Sequence, residues 1–179
     1  MIFTQTKLAG AFIVELEKRE DERGFFARTW DEKEFEAHSI FRRPVQMNMS
    51  YSKKKGTMRG LHYQIHPYEE SKLIRCTRGS IYDVIVDLRK DSPTYKQWIG
   101  VELAQKNYKM LFLSEGFAHG FLTLEDDTEV SYQVSAFYTP GSERIIRYND
   151  PTFNVIWPAK VVEISRKDRE QDDFSGDLL

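Results

Sequence analysis

Short runs in which apolar and polar residues alternate make up most of the 179-residue chain. The run Gln-Met-Asn-Met-Ser-Tyr-Ser at 46–52 is the clearest, and such period-two patterning is typical of a strand with one buried face. Most of the other runs are rich in Val, Ile, Tyr, Phe and Thr, which favour extended backbone. We predict strands over residues 11–17, 24–30, 46–52, 72–77, 80–88, 98–103, 109–113, 120–124, 129–137 and 144–147.

Turn signals separate these runs, and helices are few. Residues 31–37 begin with acidic residues and carry Phe35 as an apolar anchor, which predicts one or two helical turns. A second helix is predicted to start at Ser165, an N-cap residue with Asp168 three positions on. Many evenly spaced strands in a short chain predict an all-β sandwich or jelly roll. Since the sequence contains no linker, repeat or low-complexity tract, we expect residues 1–179 to form a single domain.

Charge and composition exclude several classes of function. The chain has 26 basic and 28 acidic residues and a net charge of −2, which gives no electrostatic basis for binding nucleic acid or an anionic membrane. Its apolar runs are too short to span a bilayer, and the N-terminus lacks the pattern of a signal peptide. Cys76 is the single cysteine, so we expect a cytoplasmic protein without an internal disulfide.

Two short segments carry the candidate chemistry. They read Gly-Thr-Met-Arg-Gly-Leu-His-Tyr-Gln at 56–64 and Gly-Phe-Ala-His-Gly at 116–120. Glycine permits a close approach of backbone to ligand, histidine exchanges protons near neutral pH, and arginine is a frequent partner of phosphate. His62, His119 and Arg59 therefore point to acid–base chemistry on a phosphorylated small molecule. The alternative for each histidine is a buried structural role.

A metal site is a competing interpretation of the same region. The sequence contains a group of possible metal ligands that is similar to the ligand set of a metal-binding cupin: His62, His66, Glu69 and Glu70, with His119 later in the chain. However, His62 and His66 are four residues apart rather than two, and Pro67 interrupts the strand directly after them. We therefore predict no metal ligands and keep a metal-dependent cupin enzyme as an alternative.

Further candidates have ordinary alternatives as well. Arg23 and Lys72 could line a phosphate site, or they could be surface charges. Tyr132 and Tyr138 would share one face of a regular strand, where a phenol could donate a proton or simply pack. Asp168 could cap the predicted helix or orient a histidine, as a carboxylate does in a catalytic dyad.

An ordered set of motifs identifies a resemblance from about residue 3 to residue 168. The motifs are Asp21-Glu22-Arg23-Gly24-Phe25-Phe26, Gln46-x-Asn48-x-Ser50, Gly56-Thr57-x-Arg59-Gly60-Leu61-His62-Tyr63-Gln64, Lys72-Leu73, Gly79-x-Ile81-x-Asp83-Val84-x-Val86-Asp87-Leu88-Arg89, Ser92-Pro93-Thr94, Gly116-Phe117-Ala118-His119-Gly120-Phe121, Asn149-Asp150-Pro151 and Trp157-Pro158. Together they resemble the dTDP-4-dehydrorhamnose 3,5-epimerase family.

The resemblance implies a fold and a reaction. The family has a cupin-like jelly roll, forms homodimers and needs neither metal nor cofactor, and it acts on dTDP-4-dehydro-6-deoxy-D-glucose in dTDP-L-rhamnose synthesis. The family's catalytic base matches His62, and the acid that supports it matches Asp168. Tyr132 matches the proton donor on the other face of the sugar, and Lys72 matches the residue that stabilises the enolate oxygen.

The resemblance also implies substrate contacts. The positions that match them are Arg23, Arg59, His119 and Lys167 for sugar and diphosphate, Gln46, Asn48 and Glu143 for the nucleotide, and Phe26 and Tyr138 for stacking on the base. Three positions depart from the family pattern: Arg28, a nucleotide or sugar contact, replaces Glu; Met47 replaces Asp; and Ser114 replaces Pro. An epimerase that inverts only carbon 3, or one for another nucleotide-linked 4-keto-6-deoxy sugar, is therefore an alternative. A non-catalytic sugar-nucleotide binding module is another.

Overall fold

The computed structural model describes residues 1–38, 40 and 43–176, and over these residues the chain forms fourteen strands and two short helices. The helices are α1 (Glu32–Ala37) and α2 (Arg166–Arg169). The strands are β1 (Ile2–Gln5), β2 (Ala11–Glu15), β3 (Arg19–Asp21), β4 (Gly24–Phe26), β5 (Gln46–Ser52), β6 (Thr57–Gln64), β7 (Lys72–Arg78), β8 (Ser80–Asp87), β9 (Trp98–Ala104), β10 (Met110–Leu113), β11 (Phe117–Thr123), β12 (Thr128–Val134), β13 (Glu143–Ile145) and β14 (Glu163–Ile164).

Two large antiparallel sheets form a sandwich. The first has the strand order β1-β2-β10-β7-β12-β5, and the second has the order β13-β6-β11-β8-β9, with β14 added in parallel to β6. Ile74 and Val130 of the first sheet pack with Ile85 and Phe121 of the second in a buried core. Burial of these apolar faces is the main stabilising contribution to such a fold. The all-β sandwich expected from the sequence is confirmed.

The outer faces of the sandwich are partly covered. Helix α1 places Phe35 on a cluster of the first sheet that includes Leu73 and Phe112. The Asp31 carboxylate caps this helix by accepting hydrogen bonds from two backbone N–H groups of its first turn. On the second sheet, Phe153 belongs to a buried cluster, and Phe174 packs against it. Neither helix of the described residues is long and apolar enough to cross a membrane.

The predicted elements agree with the structure where the pattern is regular. The strand at 46–52 and the helix after Asp31 are confirmed, as is the helix that begins after Ser165. Several strand ends differ. The prediction for residues 24–30 was wrong beyond Phe26, and the strand predicted to run to residue 137 ends at Val134. Strand β6 was missed because charged residues and glycines interrupt its apolar pattern.

Strand β6 positions most of the candidate site. It pairs with β11, β13 and β14, so its side chains are fixed from both sides. At Gly60 the backbone has φ +102°, and an added Cβ would lie 2.6 Å from the carbonyl oxygen of His119. The β6–β11 register shifts between His119 and Phe121 at this point. Only glycine fits such a close approach, and the contact keeps the two histidine-bearing strands together.

Candidate active site

Two adjoining cavities, of about 290 and 130 Å³, are lined by residues from both sheets. His62 of β6, Lys72 of β7 and Tyr132 of β12 contribute to both. Arg59, His119, Lys167 and Asp168 line the larger cavity. Gln46, Asn48, Glu70, Tyr138 and Glu143 line the smaller one. Eleven of the fourteen site residues predicted from the sequence therefore lie around one continuous space.

A histidine–aspartate pair lies at the centre of this space. The Nε2 atom of His62 is 2.6 Å from Oδ1 of Asp168, although 106 residues separate the two in sequence. Strand β14 places helix α2 beside β6, where the first turn of the helix presents Asp168 to the ring. Oδ2 of the same carboxylate accepts a longer hydrogen bond, 3.4 Å, from the N–H of Gly60.

The electrostatics of this pair determine which nitrogen of His62 is free. Burial acts to raise the pKa of Asp168, but the hydrogen bond and charge of His62 outweigh it and hold that pKa below its usual value. An ionised carboxylate only accepts hydrogen bonds, so Nε2 of His62 carries the hydrogen. Nδ1 then bears the free lone pair of the neutral ring. The arrangement makes Nδ1 the atom that can remove a proton.

A second histidine–aspartate pair lies next to the first. His119 of β11 is directly opposite His62 in the β6–β11 pair, and its Nε2 is 2.6 Å from Oδ1 of Asp83. Asp83 is fully buried and His119 is 7% exposed. The buried carboxylate thus fixes the orientation of the imidazole at the wall of the larger cavity. The sequence patterns indicated His119 but no role for Asp83, whose one signal is an acidic residue within an apolar strand.

Tyr132 and Lys72 lie on adjacent strands of the opposite sheet. Burial raises the pKa of the Tyr132 phenol, and the carboxylates of Glu70 and Glu143 raise it further against the opposing charge of Arg59. The phenol therefore keeps its proton well into the alkaline range. The ammonium group of Lys72 is buried and lies 3.0 Å from the Glu70 carboxylate. The cavity thus has the His62 imidazole on one sheet and the Tyr132 phenol and the Lys72 ammonium on the other.

Arg59 bridges the two sheets at one end of the larger cavity. It belongs to β6, but its Nε donates to Oγ of Ser52 and its Nη2 donates to the carbonyl oxygen of Tyr51, both on β5. These contacts, at 3.1 and 2.9 Å, hold the guanidinium plane in place while leaving further N–H groups for a ligand. A fixed guanidinium at a cavity wall is suited to phosphate oxygens.

The smaller cavity has polar and aromatic walls. Oε1 of Gln46 accepts a hydrogen bond of 2.8 Å from the backbone N–H of Tyr138, a residue that is 58% exposed. Glu143 of β13 forms an ion pair with Lys167 of α2, and this hydrogen bond raises the pKa of Lys167. An open aromatic ring beside amide groups offers a surface for a planar, hydrogen-bonding ring.

Three predicted site residues lie elsewhere in the chain. Arg23 and Phe26 are on the β3–β4 hairpin, which forms its own two-stranded sheet. The side chain of Arg23 is 84% exposed and pairs with Asp21, and Phe26 is 66% exposed. Arg28 pairs with Asp31 at 3.2 Å, at the start of α1. These residues line neither of the two cavities.

The possible metal ligands of the described residues are dispersed. Within 1–38, 40 and 43–176, no three His, Cys, Asp or Glu side chains are grouped so that they could hold a metal ion. His66 is 81% exposed and pairs with Glu69 instead. The ligand set of the metal-dependent alternative is therefore not assembled in these residues.

Comparisons with known proteins agree with this geometry. The family model for dTDP-4-dehydrorhamnose 3,5-epimerase matches residues 5–176. The enzyme of that name from Methanothermobacter thermautotrophicus is 44% identical over 170 residues, which cover 93% of this chain and 91% of the relative. The Bacillus anthracis enzyme, solved with TDP and PPi bound, has a TM-score of 0.93 and 40% identity, covering 97% of this chain and 99% of that one.

A third relative was solved with a sugar nucleotide. The Legionella pneumophila dTDP-6-deoxy-D-glucose-3,5-epimerase in complex with dTDP-4-keto-L-rhamnose has a TM-score of 0.87 and 38% identity, covering 93% of this chain and 89% of that one. These likenesses confirm the cupin-like fold expected from the sequence motifs. Sequence motifs, sandwich topology and overall similarity lead to one conclusion: the chain belongs to the dTDP-4-dehydrorhamnose 3,5-epimerase family.

Proposed function

We propose that the protein inverts carbons 3 and 5 of dTDP-4-dehydro-6-deoxy-D-glucose to give dTDP-4-dehydro-L-rhamnose. The observation that carries this proposal is the hydrogen bond of 2.6 Å from His62 to Asp168 in a cavity that Tyr132 and Lys72 also line. An epimerase needs a base on one face of the sugar, an acid on the other and a cation near the carbonyl oxygen. These side chains supply all three.

The first step is removal of a proton next to the 4-keto group. Nδ1 of His62 takes the proton from the carbon, and the electron pair of the C–H bond moves to form an enolate whose negative charge lies on the keto oxygen. Asp168 stabilises the resulting imidazolium through its hydrogen bond to Nε2. The Lys72 ammonium offsets the charge on the enolate oxygen.

The second step returns a proton to the opposite face. The Tyr132 phenol gives its proton to the same carbon, the enolate collapses to the ketone, and the configuration is inverted. The imidazolium then loses its proton and the phenolate regains one, both by exchange with solvent. Repetition at the other carbon completes the reaction, so no redox or metal chemistry enters the mechanism.

The remaining cavity residues would bind the rest of the substrate. Arg59, His119 and Lys167 surround the larger cavity and suit the sugar and diphosphate oxygens. Gln46, Asn48, Tyr138 and Glu143 line the smaller cavity and suit the nucleotide. This assignment leaves the exposed face of the Tyr138 ring available for stacking.

We propose that the protein forms a homodimer in which the β3–β4 hairpin of each subunit contributes to the site of its partner. Phe26 on this hairpin, and Met47 and Met49 on the edge strand β5, are each at least 66% exposed. Such exposed apolar groups favour burial against another subunit. Arg23, Phe26 and Arg28 would then complete the nucleotide end of the neighbouring site. Light scattering coupled to size exclusion should give twice the mass of 21.1 kDa, and a monomer would contradict the assignment.

The chain would work as one domain in the cytoplasm. Support for a single domain comes from the family match across residues 5–176. The buried, unpaired thiol of Cys76 suits a reducing compartment.

The function is tested by proton exchange in D2O. The protein is incubated with dTDP-4-dehydro-6-deoxy-D-glucose, and NMR follows the sugar protons on carbons 3 and 5. Deuterium at both carbons, with formation of the L-rhamno product, is the expected result. Exchange at carbon 3 alone would identify a 3-epimerase. No exchange would contradict the proposed substrate and favour GDP-, CDP- or UDP-linked sugars or a binding module.

A further inference from the structure

A buried ion pair lies beside the proposed acid. The Nζ atom of Lys72 is 3.0 Å from Oε1 of Glu70, and the two side chains are only 8% and 14% exposed. Exposed ion pairs contribute little to stability, but a buried ammonium without a partner is strongly destabilising. Within the described part of the chain, Glu70 is the carboxylate that forms an ion pair with Lys72. The cation in the cavity therefore depends on Glu70 for its charge balance.

The backbone around the pair is fixed. Ser71 stands between the two residues, and its N–H donates to Oγ of Ser135 at 2.8 Å. The N–H of Ser135 donates in return to the carbonyl oxygen of Ser71 at 3.1 Å. In extended backbone, residues two apart project to the same side. These two hydrogen bonds hold the segment in place, so that Glu70 and Lys72 lie on the same side of it and face the smaller cavity.

We propose that Glu70 is a positioning residue, which holds the Lys72 ammonium where the enolate oxygen forms. The inference rests on the proposed function and extends it to a residue that contacts Lys72 rather than the reacting atoms. A flexible lysine side chain loses conformational freedom when it is held, and its preorganised charge stabilises the enolate without reorganisation during the reaction. Glu70 supplies that preorganisation through a fixed, short contact.

Glu70 also acts on the charge environment of Tyr132. The carboxylates of Glu70 and Glu143 both raise the pKa of the phenol, whereas Arg59 lowers it. The other titratable and charged groups that line a cavity with the phenol are His62, Tyr63, Lys72, His119, Tyr138, Lys167 and Asp168. Removal of the Glu70 charge should therefore lower the pKa of Tyr132. This gives a readout that a merely structural role for Glu70 would not change.

The test compares Glu70→Gln with Glu69→Gln. Glu69 is the adjacent residue, pairs with the exposed His66 and does not line either cavity, so it controls for the substitution itself. For Glu70→Gln we expect kcat to fall by about 10- to 100-fold with KM within about twofold of wild type. The alkaline limb of its pH–rate profile should move to lower pH. Glu69→Gln should match wild type in both.

A double-mutant cycle distinguishes a role of Glu70 in positioning Lys72 from a general loss of packing in the cavity. If Glu70 acts through Lys72, then Glu70→Gln should cost almost nothing more in a Lys72→Ala background. Additive losses, or a Glu70→Gln enzyme with normal kcat and an unmoved alkaline limb, would overturn the inference while leaving the proposed function intact. A wild-type enzyme without exchange would instead overturn the proposed function, and the inference would fall with it.

A second variant tests the inference if Glu70→Gln folds poorly. Glu70→Asp keeps the charge but shortens the side chain by one methylene, so the contact with Lys72 is displaced. It should lose kcat while its alkaline limb stays closer to the wild-type position. Normal kcat in a folded Glu70→Asp enzyme would also overturn the inference.

Discussion

His62 and Asp168 meet at 2.6 Å because a two-residue parallel strand docks the C-terminal helix onto β6. The contact joins residues that are 106 positions apart in sequence. Asp168 has two roles here, since its backbone N–H also donates to Oγ of the N-cap residue Ser165 at 3.0 Å. The local capping geometry therefore fixes the carboxylate that orients the imidazole.

Replacement of Asp168 by Asn should show how far activity depends on the orientation of His62, because the imidazole itself is retained. The amide can donate to Nε2, which would favour the ring tautomer with the hydrogen on Nδ1, the wrong atom for proton removal. A comparable change in a serine protease lowers kcat about 10⁴-fold, and we expect a loss of about 10³- to 10⁴-fold with KM little changed. Asp173→Asn, at an exposed ion pair with Arg147, is the matched control and should keep full activity. A kcat near that of the control would remove Asp168 from the mechanism.

The same carboxylate should make stability depend on pH. The pKa of Asp168 is lowered in the folded state, so its contribution to stability is present above the ordinary value of about 3.9 and is lost as pH falls through the folded value. At pH 7, Asp168→Asn should therefore be less stable than wild type by about 2 kcal/mol. Thermal unfolding measured from pH 7 to pH 3 should show the Tm difference narrowing below about pH 4. A constant difference would show that the charge of Asp168 does not contribute.

Loss of the phenol at Tyr132 should uncouple exchange from inversion. In Tyr132→Phe, His62 can still remove and return a proton on its own face, so some deuterium exchange should remain while product formation falls by at least about 100-fold. The pKa of Tyr132 is raised, and the acid works only when protonated, so the wild-type rate should hold up to about pH 10 or beyond. Tyr82→Phe, on the outer face against Trp157, provides the control. Unchanged turnover in Tyr132→Phe would assign the acid role to another residue.

Gly60 should tolerate no side chain. A Cβ there would lie 2.6 Å from the carbonyl oxygen of His119 and 2.7 Å from Cα of Gly120, on backbone with φ +102°. We expect Gly60→Ala to lower the free energy of unfolding by more than about 3 kcal/mol. Gly141 has φ +88° but open space around it. Gly141→Ala therefore measures only the cost of placing a side chain on backbone with positive φ, about 1 kcal/mol. Equal Tm values for the two variants would contradict the close strand approach.

Regular elements of the fold could be predicted from the sequence because their patterns are local. Residues 46–52 alternate at every position, and β5 spans that same range. By contrast, Arg59, Gly60 and His62 interrupt the apolar pattern of β6, so the strand that carries much of the site was not predicted. The short strands β1, β3 and β14 were missed as well. The site residues of β6 occupy positions at which apolar residues would have indicated a strand.

The candidate site was predictable only in part. The family resemblance implied one site for His62, Lys72, Tyr132 and Asp168, but the local sequence left Asp168 equally suited to capping, because the contact with His62 depends on the docking of β14. Glu70 was considered only as a metal ligand, since nothing in Glu-Ser-Lys shows that both side chains become buried. Their burial is a property of the cavity and not of the segment.

The most direct measurement compares His62→Asn with His66→Asn during incubation with dTDP-4-dehydro-6-deoxy-D-glucose in D2O. His66 is exposed and lies outside both cavities, so the two variants differ in location and not in chemistry. We expect His66→Asn to exchange protons at carbons 3 and 5 at the wild-type rate, and a folded His62→Asn to show no exchange at either carbon. Near-normal exchange in His62→Asn would contradict the assignment of His62 as the base.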